Sequence, residues 1–156
     1  MENEYVAVDA ATAEAIRRCA GGLTAYASAL AVKGMDDIVE DMRWLTVWLA
    51  EFWLTDIYGK DWMEIRERYT NSFWQAVTEA VRTGQAPPLT EQMRGDVLKG
   101  LEIHARELEE MEDHDQFVDW CRDLCRELPM AWDHDSGHQC RRPDADGFEL
   151  LLPSQV

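Results

Sequence analysis

The residues best suited to chemistry in this chain gather towards its C-terminal end: Cys121, Cys125, His134, His138 and Cys140. Zinc takes four soft or borderline ligands in a tetrahedron, and this short stretch offers more than enough of them. Cys121 and Cys125 are four apart, so on a helix they share one face. His134 and His138 fall in a segment rich in Asp, Ser and Gly that can fold back over that face. Against a metal, the cysteine spacing is wider than the usual ligand pair, and both thiols also complete an apolar stripe with Leu124 and Leu128. Buried cysteine commonly serves as a small hydrophobe. We therefore read core thiols with no cofactor, and keep zinc on Cys121, Cys125, His134, His138 and Cys140 as the alternative.

The remaining chemistry-bearing residues fit no catalytic pattern. His104 lies on the apolar face of a helix, the ordinary place for a core histidine. His114-Asp115 and His134-Asp135 are similar to the His-Asp pair of helical metal-dependent phosphohydrolases. Those sites need a separate upstream His and a downstream Asp on distinct helices, and His104 stands too close to His114 for that. Asp133-x-Asp135 and Asp144-x-Asp146 begin like calcium loops but lack Gly at the sixth position and Glu at the twelfth, which excludes an EF-hand. The chain has no Walker A loop, no G-x-G-x-x-G, no G-x-S-x-G and no Pro-Cys-x-x-Cys of the zinc deaminases. No catalytic residue is assigned, and the expectation is a protein that is not an enzyme.

The second informative stretch is acidic. Glu107, Glu109, Glu110, Glu112, Asp113, Asp115 and Asp119 follow one another with no Lys or Arg among them. The whole chain carries 31 Asp+Glu against 15 Lys+Arg, a formal net charge of −16, and a pI near 4.5. Such a surface repels phosphate backbones and anionic headgroups, so direct binding to nucleic acid or membrane is disfavoured, while basic proteins are attracted. Carboxylates spaced along rigid helices can imitate duplex DNA, which carries about one charge per 1.7 Å of axis. The plainer alternative is a solvated helix face that serves solubility.

These residues need elements to hold them, and the apolar periodicity supplies helices. Asp9 is placed to cap a helix running to about Cys19 and ending at Gly21-Gly22; a small-residue helix, Thr24 to Lys33, ends at Gly34. A third helix spans about Met35 to Tyr58. Its Ile38, Met42, Leu45, Leu49 and Phe52 keep the 3.6-residue period, and Trp44 and Trp48 widen the face. That width implies central burial, or alternatively a homodimer through the Trp44/Trp48 helix. Asp61 caps a fourth helix to about Arg82, with Trp62, Ile65, Tyr69, Phe73 and Ala76 on one face. A connector at 83–89, holding Gly84 and Pro87-Pro88, then breaks the chain. Thr90 caps a fifth helix with Met93, Val97, Leu101, His104, Leu108 and Met111 in register. A sixth starts at Asp113 or Asp115 and carries Phe117, Trp120, Cys121, Leu124 and Leu128 up to Pro129. Beyond Pro129 the pattern gives way to loop residues, with Phe148 to Leu152 apolar enough for a short strand or a docked tail.

The expected fold is all-α: a single compact, helical-bundle-like domain over residues 1–129, of five to six helices, divisible at the 83–89 connector, with an irregular tail over 130–156 packed on it. Seven Trp and 46% hydrophobic residues argue for a packed core despite the charge. Met1-Glu2-Asn3-Glu4 is acidic where a secretory signal would be basic, and Trp44 to Ala50 is far too short to span a membrane, so cytoplasm and reduced thiols are expected. In size, charge and lack of catalytic motifs the chain resembles the small acidic inhibitors, of anti-restriction and anti-CRISPR type, that mobile genetic elements direct against host nucleic-acid-binding machinery. The resemblance implies a partner that is a basic protein or nucleic-acid-binding complex. The acidic face, Glu107 to Asp119, would occupy its nucleic-acid-binding surface.

Overall fold

The computed structural model describes residues 10–58, 61–111 and 115–143. Five helices follow one another there: α1 (Ala10–Val32), α2 (Asp36–Tyr58), α3 (Trp62–Thr83), α4 (Glu91–Glu109) and α5 (Asp115–Asp133). Helix accounts for 82% of the described residues and none of them is in a strand. The protein is all-α.

Local chemistry explains most boundaries. Asp61 accepts the Glu64 N–H at 2.9 Å and Thr90 accepts the Met93 N–H at 3.1 Å, so both act as the N-caps their residue types suggest. At the other ends, α1 and α3 stop at glycines with positive φ, Gly34 (81°) and Gly84 (74°). In each case two backbone N–H groups reach back to carbonyls of the last turn: Met35 to Leu30 and Gly34 to Ala31, Gln85 to Ala80 and Gly84 to Val81. α5 closes by the same device, Ser136 to Ala131 and Asp135 to Trp132, with Asp135 at φ 54° in the glycine position.

Two expected boundaries are corrected. α1 runs unbroken through Gly21-Gly22. Gly22 is not a stop but a contact: a Cβ there would collide with Val97 Cγ2 and sit 3.0 Å from the Met93 carbonyl oxygen of α4. Gly100 mirrors it, since a Cβ there would overlap Cys19, whose thiol donates to the Val97 carbonyl at 3.4 Å. Gly22 of α1 and Gly100 of α4, poor helix formers both, let the two helices touch nearly backbone to backbone. α5 likewise continues past Pro129 to Asp133. Proline removes the bond to the Cys125 carbonyl, but Ala131 and Trp132 are buried, and that burial holds the last turn in place. The proposed cap Asp9, the start at Asp113 and the segment Phe148 to Leu152 lie outside the described residues.

The chain divides into two units, Met1–Gly100 and Leu101–Val156, with the division inside α4. In the first, α1, α2 and α3 pack on one another. Its core holds Ile16, Leu23 and Leu30 of α1, Met42, Leu45, Leu49 and Leu54 of α2, and Ile65 and Phe73 of α3. No α2 residue from Asp41 to Thr55 is exposed, and the Trp44 and Trp48 rings lie 4.9 Å apart, half-buried. Polar α1 side chains are tolerated inside because they bond to their own helix, Ser28 to the Thr24 carbonyl at 2.9 Å and Thr24 to Ala20 at 2.9 Å. In the second unit Leu101, Ala105 and Leu108 are buried, together with Phe117, Trp120, Cys121, Leu124 and Leu128 of α5. No helix among the described residues is long and apolar enough to cross a membrane.

Candidate functional site

The second unit contains both sequence-derived clusters. α4 ends in Glu107 and Glu109, Glu110 follows in the turn, all three exposed, and α5 presents Asp119, also exposed. Three acids at a helix C-terminus face the negative pole of the helix dipole, an unfavourable placement. Although the run contains no cation of its own, the fold brings one to it: Arg122 of α5 lies 2.8 Å from Glu109 and 3.7 Å from Glu102. Glu102 also pairs with Arg106 at 3.1 Å, and Asp123 pairs with Arg126. Glu107, Glu110 and Asp119 form no ion pair among the described residues. Glu112 and Asp113 lie outside the described residues, as does the side chain of Asp115, the first residue of α5.

Cys121 is fully buried, Cys125 and Cys140 are half-buried, and His138 is 3% exposed, whereas His134 is on the surface. Burial, reinforced by Cys125, pushes the Cys121 thiol up to about 12. Burial and the Glu102 charge take Cys125 up to about 11; burial and Glu127 take Cys140 up to about 12. Such thiols stay protonated at neutral pH, which deprives them of nucleophilic character. No three His, Cys, Asp or Glu among the described residues are arranged to hold a metal ion. The structure brings the cysteines of α5 and the 138–140 segment near one another but leaves His134 out. His104 is fully buried on α4, consistent with a core histidine.

One residue here escapes a reading of the sequence. Glu127 accepts the backbone N–H of Gln139 at 2.9 Å and of Cys140 at 3.1 Å, pinning the chain after α5 onto the helix. Partial burial pushes its carboxyl up. The two N–H groups, the Cys140 thiol and the His138 charge outweigh that, and the net shift is downward. Its position, two residues beyond Cys125 and one before a buried Leu, looks in the sequence like any solvated helix acid.

Comparison with protein-family models, curated proteins and solved structures gives no match.

Proposed function

We propose that this is a non-enzymatic binding protein whose α4–α5 acidic face docks on a basic surface of another protein, of the kind that holds nucleic acid. The observation that supports this most is the placement of Glu107 and Glu110. They crowd the end of a helix where a carboxylate is least favourable, and no described cation relieves them. Stability does not account for acids in that position, whereas attraction of a basic partner does. The action is occupancy: the protein excludes nucleic acid from a Lys/Arg-lined groove, in the manner of the anti-restriction and anti-CRISPR inhibitors it resembles in charge and size.

The test compares Glu107→Lys/Glu110→Lys with Glu14→Lys/Glu40→Lys, a reversal of equal size in the first unit. Immobilised wild type is expected to capture a basic protein from lysate, and both excess duplex DNA and rising salt should release it, since the screening length falls from about 10 Å at 0.1 M to about 3 Å at 1 M. The first double variant loses capture while keeping its helicity, because exposed charge changes shift stability by only about 0.5 kcal/mol each. Equal loss in both variants would mean that net charge alone attracts the partner and that no docking face exists. No loss in either would sink the reading.

A further inference from the structure

The outer face of α3 is unlike the rest of the surface. Four of the large hydrophobic side chains left exposed among the described residues lie on this one helix: Trp62 (45%), Met63 (61%), Trp74 (38%) and Val81 (53%). Met63, Trp74 and Val81 fall on one stripe, flanking the face that buries Ile65, Phe73, Val77 and Ala80. Trp74 is held from beneath by the buried Phe73, ring centroids 5.3 Å apart in an edge-on arrangement. A shallow depression lined by Asn71, Gln75, Thr78 and Glu79 adjoins it. The Trp44/Trp48 pair of α2, by contrast, is half-buried.

Charge identifies what can approach this face. The chain has a net charge of −16, yet α3 is balanced, with Glu64, Glu67 and Glu79 against Arg66, Arg68 and Arg82; of these, Arg66 is turned to Glu51 of α2 and Arg82 pairs with Glu79 on the exposed side. It is therefore a place where two copies of a strongly acidic protein can meet without adding like charge to like charge. The pattern is also self-complementary. Met63 and Val81 are separated by about five full turns, as are Glu64 and Arg82, so each pair lies along one line of the helix. Along the axis the midpoints of the two pairs nearly coincide, next to Trp74, while the two lines stand about 100° apart around the helix, one on each side of the contact. A single two-fold axis at that point sets Met63 against Val81 of the second copy, and Glu64 against its Arg82, twice by symmetry. It also brings the two Trp74 rings together at the centre.

We infer that a second copy of this chain docks on α3, antiparallel, about a two-fold axis beside Trp74. Such an isologous contact uses the same patch on both subunits, and a buried central Trp with a charged rim is the usual anatomy of a stable interface.

The experiment is sedimentation of the full chain over a dilution series at low and moderate salt. The expected mass is twice that of the 18.0 kDa chain at high concentration. Added salt should strengthen this association, because it screens the repulsion between two acidic bodies; capture of a basic partner should respond in the opposite sense. Trp74→Glu, and independently Val81→Glu, should raise the dissociation constant about tenfold or more, with far-UV helicity unchanged. Arg82→Glu and Glu64→Lys should each weaken the dimer, and the double variant should recover it, since the swap preserves the pairing across the axis. A single-chain mass under all conditions would overturn the inference, as would a Trp74→Glu protein that dimerises like wild type. A double variant no better than its parents would overturn the antiparallel register.

Discussion

In the unit Met1–Gly100, α1 and α4 meet through side chains that are absent. Gly22 and Gly100 remove the bulk between the helices, Val97 and Cys19 fill the space they leave, and Ser28 and Thr24 of α1 bond to their own helix. In the unit Leu101–Val156 functional groups add ties to an apolar core. Arg122 spans Glu102 and Glu109, Glu127 holds two backbone N–H groups, and the Cys121 thiol lies near those of Cys125 and Cys140. The α1–α4 seam admits no added volume and holds no charge. The ties of the second unit depend on charge. Each can therefore be broken by a perturbation that spares the other.

The largest effect is expected from volume in the first unit. Gly22→Ala places a methyl against Val97 and the Met93 carbonyl, and a backbone oxygen cannot step aside as a side-chain end does. Overpacking of this kind costs about 1–3 kcal/mol. Gly21, one residue earlier, faces open space where a Cβ would stand, so Gly21→Ala should instead stabilise by about 0.5–1 kcal/mol through helix propensity. Paired thermal melts should thus move in opposite directions. If both substitutions stabilise, the close approach of α1 and α4 is not what retains Gly22.

The next effect belongs to the second unit and appears only in alkali. Its thiols are raised in the folded chain to about 12, 11 and 12, against about 8.5 for an unfolded cysteine. Between those values the folded state holds protons that the unfolded state has released. Stability is therefore full below about pH 8.5 and declines as pH rises towards the folded values. Unfolding followed by denaturant from pH 7 to 10 should show this decline. Cys121→Ala should reduce its slope and cost some stability at pH 7. An unchanged slope would mean that the α5 thiols are not buried as described.

The two units also differ in how far the sequence discloses them. Caps and stops are local, so Asp61, Thr90, Gly34 and Gly84 act as their residue types suggest. The period-3.6 stripe of α5 is equally readable, from Phe117 to Leu128. Gly22 was hidden because a glycine that breaks a helix and one that admits a neighbour look identical until the neighbour is known. Pro129 misleads in the same way: its local cost is real, and the burial of Ala131 and Trp132 that outweighs it is tertiary. Trp62 shares the apolar period of α3 but is its first residue, and it stays exposed with Arg66 4.8 Å over the ring. The acidic run was visible as a run, but the cation that offsets part of it comes from another helix.

The smallest effect tests whether charge holds the chain after α5. Glu127 is half-buried and accepts two backbone N–H groups, so Glu127→Gln keeps the shape and removes the charge. Hydrogen bonds to charged groups contribute about 1.5–3 kcal/mol when well shielded, and partial exposure brings the expected loss to about 1 kcal/mol or less. Global melting is a blunt probe of so local a tie, whereas Cys140 reports on it directly. Its thiol is raised by burial and then by Glu127, so removing the carboxylate should both lower that pKa and loosen the segment. Both changes speed alkylation at neutral pH, and Cys121, buried within the helix, should stay unreactive and serve as the internal control. Acid should reproduce the substitution. The Glu127 carboxyl is depressed in the folded chain, so its contribution is intact above the unfolded value of about 4.3 and is lost as pH falls through the lower folded value. Amide exchange at Gln139 and Cys140, corrected for its intrinsic pH dependence, should therefore lose protection on acidification in wild type and show no such step in Glu127→Gln. If Cys140 alkylates no faster in the variant and the acid step persists without the carboxylate, the segment is held by the burial of His138, and apolar packing governs the second unit as it does the first.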